Sequence, residues 1–482
     1  VCRDSTSDLD SARLLFNWTV HHIALDPVPG PGEYRSQKPW QSVLFGRGQP
    51  IDRGWVFSLL ARQQNLDVVF LYDRQSNGNL AFWCMGLLSN CAKGNSDCKI
   101  YLFDPAYGIP IPGKQPGSIA TLSEVLADDQ ILHELDQPDA PYPIGPENLK
   151  DIAVFIEGGR QYLSKRMKHI QTLLSGDRRI VLTAQPTDIE NMLPDIPNLS
   201  QPKIWFGSYQ SDKNLRAPGT ITALNKEMDV YKPILTITSK TSRQLMGGDN
   251  NQMGVVEKIA DEFVNPLWQG RLQHFSGYYT TQLQESDRRA ADAPQGQRGA
   301  KNFYLRSRTM IPHQLPTDDN WPIPVIMQIE DYYAKPETKR RAIMMKRDAT
   351  FWLGLIATRE KKYELADYYL TETRKIETSP DWPADAPLRA TPISFARIYQ
   401  ANDQPELAIS NYLAVSGPEK KEAQFRAHRL AAELNKSLTD FAPADGANTK
   451  QPPADDHATP DKATIKVDKP AEPQATKATT DK

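Results

Sequence analysis

The stretch that most constrains the fold runs over residues 46–112. It opens with a helical run, PIDRGWVFSLLARQ, and continues with three apolar β runs that begin at Val68, Asn79 and Cys98. Pro50 suits the first helical position, because the N–H it lacks would be unpaired there anyway. Asn65 tolerates the left-handed conformation that closes a helix. The third β run ends in Phe103-Asp104-Pro105. Upstream, Ala12, Leu15, Phe16, Thr19, Val20 and Ile23 recur at helical spacing. Ser7 with Asp10 forms a capping pair at the start of that helix.

Together these features resemble the core of the transglutaminase-like (papain-like) superfamily, over about residues 8–112, roughly a fifth of the chain. The resemblance implies a helix packed on an antiparallel sheet. In that family a cysteine opens the helix, a histidine lies on the next-but-one strand, and an aspartate ends the strand after it. Arg62 matches the family's arginine near the helix end, and Asn65 stands where a glycine is usual. Counting back from Arg62 puts the nucleophile near Pro50, with Gln49 its neighbour, and neither carries a thiol. The histidine position falls at Phe82 or Trp83, two aromatics expected to fill the former cleft. Asp104 survives as a vestige, expected to pin the turn at Pro105 through its own backbone. Covalent chemistry of this kind needs a thiolate made reactive by a paired base. The resemblance therefore implies a pseudoenzyme.

Further along, residues 105–146 are rich in Pro and Gly, with a short helix at 122–126, and a boundary is placed near Pro146. The spacing predicts helices over 162–174 and 187–196 and β runs over 179–184 and 203–206, a small α/β module. Lys165, Arg166, Lys168 and His169 read as a solvated helix face, since no aromatic platform for nucleic acid interleaves them. Residues 228–272 read as mostly helical, 282–301 as a mobile loop, and Trp321-Pro322-Ile323-Pro324 as a junction.

Residues 335–434 read as all-helical and resemble tetratricopeptide repeats. Gly354 with Ala366, and Ala396 with Ala408, keep the spacing that lets two helices pack closely, and Tyr399 and Tyr412 fall at the motif's aromatic positions. The two alanine anchors lie about forty-two residues apart, against a usual period of about 34, and the inserted SPDWPADAPL accounts for the excess. Residues 442–482 carry no Phe, Trp or Tyr and read as a disordered tail. The expected fold is thus α+β: a degenerate transglutaminase-like domain at 1–146, a mixed α/β and helical region at 147–334, tetratricopeptide-like repeats at 335–434, and the tail.

With 482 residues and a net charge of −2, no global field favours nucleic acid or an anionic surface. No apolar run reaches the about 18 residues that span a bilayer. Cys91 and Cys98 flank a hairpin tip, where a disulfide would imply export to an oxidising compartment such as the periplasm; two free thiols in a cytoplasmic loop are the alternative. A chain beginning at Val1 reads as processed or partial. No short paired cysteines, HExxH, GxSxG or phosphate loop occurs, so neither metal nor cofactor is implied. The preferred function is a non-catalytic scaffold that binds a protein or peptide through its helical repeats. Two alternatives stay open. One is a thiol hydrolase or transferase using Cys84, with His21, His22 or His133 as base. The other is an envelope polysaccharide-binding module using Trp40, Trp55 and Trp83.

Overall fold

A computed structural model describes residues 2, 5–27, 37–75, 78–91, 98–136, 141–159, 162–176, 179–193, 196, 198–207, 225, 227–231, 237–244, 253–260, 266–277, 279, 299–309, 335–376 and 386–441. The chain opens with α1 (Asp8–His22), β1 (Ala24–Leu25), α2 (Pro39–Phe45), β2 (Arg47–Gly48) and α3 (Pro50–Gln63). The Ser7 hydroxyl accepts from Asp10 N at 3.1 Å, the expected start of α1. Pro50 takes the first position of α3. Asn65 is left-handed at φ +56°. Leu66 N reaches back to Ala61 O and Asn65 N to Arg62 O, which satisfies the last carbonyls of the helix.

The strands β3 (Val68–Arg74), β4 (Leu80–Ser89), β5 (Lys99–Asp104) and β6 (Ile109–Pro110) follow, and after the short helices α4 (Leu122–Ala127) and α5 (Gln130–His133) the chain returns as β7 (Ile152–Glu157). Then come α6 (Lys165–Leu173), α7 (Pro186–Met192) and β8 (Lys203–Trp205). The six-stranded sheet has the order β6-β5-β4-β3-β7-β8. All its neighbours are antiparallel except β7 and β8, which are parallel. The sheet therefore continues across the boundary expected near Pro146, and β7 and β8 belong to it rather than to a separate module. Residues 179–184 form no strand: Val181 exchanges both backbone hydrogen bonds with the side-chain amide of Gln63, each at 2.9 Å.

The sheet is buried on both faces. Val68 and Phe70 of β3 pack with Phe16, Trp55 and Phe57 of α1 and α3. Val69 and Leu71 pack on the opposite side with Leu102, Leu122, Leu132 and Tyr142. Such strands carry apolar residues at every position.

A correction concerns residues 228–272. Within them β9 (Ile237–Gln244) and β10 (Met253–Ala260) form an antiparallel hairpin, followed by α8 (Pro266–Phe275) and α9 (Ala300–Thr309). The alternation of β-branched Ile and Thr in ILTITSKTS is a strand signal that the helical reading overlooked. The expected loop at 282–301 lies outside the described residues except for Gly299, Ala300 and Lys301, the last two in α9; the 321–324 junction and the 442–482 tail lie wholly outside them.

Five helices complete the chain: α10 (Pro336–Arg359), α11 (Tyr363–Lys375), α12 (Ala386–Ala401), α13 (Pro405–Leu413) and α14 (Lys420–Glu433). Consecutive helices pack on one another. A Cβ on Gly354 would lie 2.8 Å from Leu370 of α11, and Ala366, Ala396 and Ala408 are fully buried. The helical region is joined to the sheet domain: residues 1–441 pack as one unit. At one junction Trp352 of α10 sits against Gly46, where a Cβ would meet its ring at 2.6 Å. Gly46 also has φ +68°, so both its space and its backbone require glycine.

Candidate functional site

The amino terminus of α3 is intact as a helix start. Gln49 N donates to Asp52 Oδ2 at 2.9 Å, and the Gln49 side chain donates to Pro27 O at 3.2 Å. Pro50 takes the first helical position. Asp52, in the first turn, is buried, and that burial raises its pKa to about 7 against the pull of the Gln49 amide. Sequence reasoning missed Asp52, although its spacing of three from Gln49 carries a capping signal.

Across from α3, Phe82 and Trp83 part company. Leu71 pairs with Cys84 but Tyr72 with Phe82, which leaves Trp83 as the extra residue of a β-bulge. Phe82 stays on the α3 side, where a Cβ on Gly54 would lie 3.2 Å from its ring. Trp83 and Cys84 both pack in the core on the other side of the sheet. Only Phe82 therefore fills space facing α3, which corrects the expectation that both aromatics do.

Asp104 is buried at the end of β5 and fully engaged. Its Oδ1 accepts from the backbone N–H of Ala106 at 2.7 Å and of Tyr107 at 3.0 Å, which pins the turn at Pro105. Its Oδ2 accepts from the Tyr142 hydroxyl at 2.7 Å, and the same phenol oxygen accepts from Trp83 Nε1 at 2.9 Å. Burial raises the Asp104 pKa, while Tyr142 and the two backbone donors pull it back. Tyr142 lies some forty residues downstream in a Pro-rich loop, and nothing local in the sequence marks it as a partner.

Cys84 has no exposed surface, and burial, with the Asp104 charge behind it, pushes its thiol well above the ordinary range. A thiol of that kind is inert. The histidines named as bases are occupied elsewhere or at the surface. His22 Nδ1 lies 2.8 Å from Trp18 O and the ring stacks on Trp18. His133 lies 2.8 Å from Asp136. His21 is exposed. Of the three tryptophans named for a sugar groove, Trp55 and Trp83 are core residues and Trp40, on α2, is exposed. Cys91 and Cys98 are joined in a disulfide. Among the described residues no cluster of ligating side chains could hold a metal ion, and no helix is long and apolar enough to cross a membrane.

The seam between the sheet domain and the last helices is built of charge. Glu422 of α14 is fully buried and accepts from Arg397 at 2.6 Å and Arg426 at 2.9 Å. Arg53 of α3 approaches it at 4.0 Å, while donating to Ile23 O at 2.7 Å and Pro105 O at 3.0 Å. Burial alone would raise the Glu422 pKa, but the three guanidinium groups together hold it low. Gly108 leaves the room: a Cβ there would lie 2.3 Å from Glu422 Oε2.

Beside this seam runs an open groove of about 310 Å³. Arg13 and Asn17 of α1, Ile109 and Pro110 of β6, Gln400 of α12, and Phe425, Arg426 and Arg429 of α14 contribute to its walls. Arg13 and Arg429 thus border a groove of mixed polar and apolar lining, while Arg426 is paired with Glu422. Arg13 and Arg429 keep only exposed partners, Asp10 at 2.6 Å and Glu433 at 3.3 Å, and exposed pairs of this kind are held weakly. Comparison with protein-family models, with curated proteins and with solved structures finds no match for this chain.

Proposed function

We propose that this chain is a non-catalytic binding protein on a degenerate transglutaminase-like scaffold, with tetratricopeptide-like helices that take part in protein contact. One observation carries the reading: each position that catalysis would use is committed to something else. Pro50 opens α3, Phe82 packs on it, and Asp104 spends both carboxylate oxygens on its own turn and on Tyr142. The inert setting of Cys84 weighs against a displaced nucleophile.

The groove beside α14 is the surface best suited to the ligand. Arg13 and Arg429, beside apolar Ile109 and Phe425, fit an extended peptide carrying acidic side chains, because guanidinium groups pair with carboxylates in bidentate fashion. The Cys91–Cys98 disulfide supports placement in an oxidising compartment.

Fluorescence anisotropy with labelled acidic and basic peptide pools tests this. Acidic peptides should bind preferentially, and Arg13→Ala with Arg429→Ala should weaken them about tenfold. Equal binding of both pools, or turnover of amide or thioester substrates that Cys84→Ser abolishes, would sink the reading.

A further inference from the structure

Among the described residues, six of the twelve exposed large apolar side chains lie between residues 163 and 206: Leu163, Ile170, Leu173, Ile180, Ile204 and Phe206. They gather around α6 and the edge strand β8. The position of a Cβ on Gly158 would be 3.0 Å from Ile204 and 3.8 Å from Leu163, so those two side chains are neighbours. Leu173, at the end of α6, is 69% exposed.

The helix is amphipathic but buries nothing. Met167, Gln171 and Leu174 are half-buried on one side, while Ile170 and Leu173 lie on the exposed side with Arg166 between them at helical spacing and Lys165 and His169 alongside. Between Glu157 and Asp177 the sequence has no acidic residue. The helix is held to the body along one edge: Gln171 Oε1 accepts from Leu182 N at 2.7 Å and from Thr183 N at 3.0 Å. Ile170 and Leu173 are thereby presented outward, next to the basic side chains.

We infer that α6, with the β8 edge, is an interfacial element that lies on an anionic lipid surface. Both halves of the surface bear on the choice of occupant. The basic face demands a negatively charged partner, which disfavours a second copy of the same basic face. The exposed leucine and isoleucine side chains gain by entering an acyl layer, which the phosphates of a nucleic acid do not offer. A helix that exposes Leu and Ile beside Lys and Arg seats itself in the headgroup region, its apolar side chains among the acyl chains and its cations at the phosphates. Nothing needs to cross the bilayer.

The test is co-sedimentation of the full chain with large unilamellar vesicles, of phosphatidylcholine alone or with about one third phosphatidylglycerol. The protein should pellet with the anionic vesicles and less so as salt is raised. Lys165→Gln and Arg166→Gln should each weaken binding about fivefold. Leu173→Asp should weaken it at least about tenfold, and because Leu173 is exposed the variant keeps its circular dichroism spectrum. Leu407→Asp, at a half-exposed position on α13, should have no effect. Failure to pellet, equal binding to neutral vesicles, or indifference to Leu173→Asp would overturn the inference. So would binding to duplex DNA as tight as to vesicles and unaffected by Leu173→Asp, which would assign the face to nucleic acid.

Discussion

The Tyr142 hydroxyl donates to Asp104 Oδ2 at 2.7 Å, and Trp83 Nε1 donates to that same hydroxyl at 2.9 Å. All three groups are buried. The bulge that turns Trp83 away from α3 brings it to Tyr142, so Asp104 sees a phenol in a dry core rather than an imidazole.

Removing that hydroxyl leaves both a buried indole N–H and a carboxylate oxygen unpaired. Tyr142→Phe should therefore destabilise the protein by about 2 kcal/mol, read from urea unfolding. Asp104→Ala, which also frees the N–H groups of Ala106 and Tyr107, should cost more. A Tyr142→Phe variant as stable as the parent would contradict the network.

Thiol reactivity should follow burial. In the native state iodoacetamide should leave Cys84 unlabelled at neutral pH, and Cys91 and Cys98 should label only after reduction. Peptide mass mapping before and after denaturant reads this directly. Rapid native labelling of Cys84 would mean an activated thiolate and would restore the enzyme reading.

Asp52 gives a pH dependence of known sign. Its folded pKa, about 7, lies above the unfolded value near 3.9, so its contribution is fully present below about pH 4 and is lost as pH rises through 7. Asp52→Asn removes the ionisation while its side-chain oxygen can still accept from Gln49 N. The variant should gain on the parent across that window, by about 1–3 kcal/mol at pH 8. Parallel stability–pH curves for the two proteins would rule this out.

Glu422 slopes the other way. Its folded pKa is depressed, so its stability is present above about pH 4.5 and is lost as pH falls through the folded value. Glu422→Gln should flatten the acid limb of the stability curve. Glu422→Ala leaves Arg53, Arg397 and Arg426 facing one another without their common partner, and should cost about 3–5 kcal/mol. Thermal unfolding at pH 7 measures this loss. If both variants matched the parent at every pH, the seam would not depend on this charge.

Much of the local structure was legible in the sequence. Ser7 capping α1, Pro50 opening α3 and left-handed Asn65 closing it follow from side-chain chemistry within a few residues. So does the close approach of α10 and α11 at Gly354. The β9–β10 hairpin was legible too, in its alternating Ile and Thr, and was misread as helix. The candidate site was half legible. The absence of thiol and imidazole at Pro50 and Phe82 is a property of the residues themselves.

The rest depended on contacts distant in sequence. The sequence by itself determined which segments are helix or strand and which groups the chain has to offer, because caps, turns and periodicity act within a turn or two. Tertiary structure alone decided that Trp83 is the bulged residue and that β7 extends the sheet past Pro146. It alone brought Tyr142 to Asp104, and set Arg53 and Arg397 against Glu422 beside Arg426, its neighbour one turn along α14. The reason is physical: a buried carboxylate must find donors wherever the fold supplies them, and beyond Arg426 on its own helix Glu422 finds them on α12 and on α3, near the start of the chain.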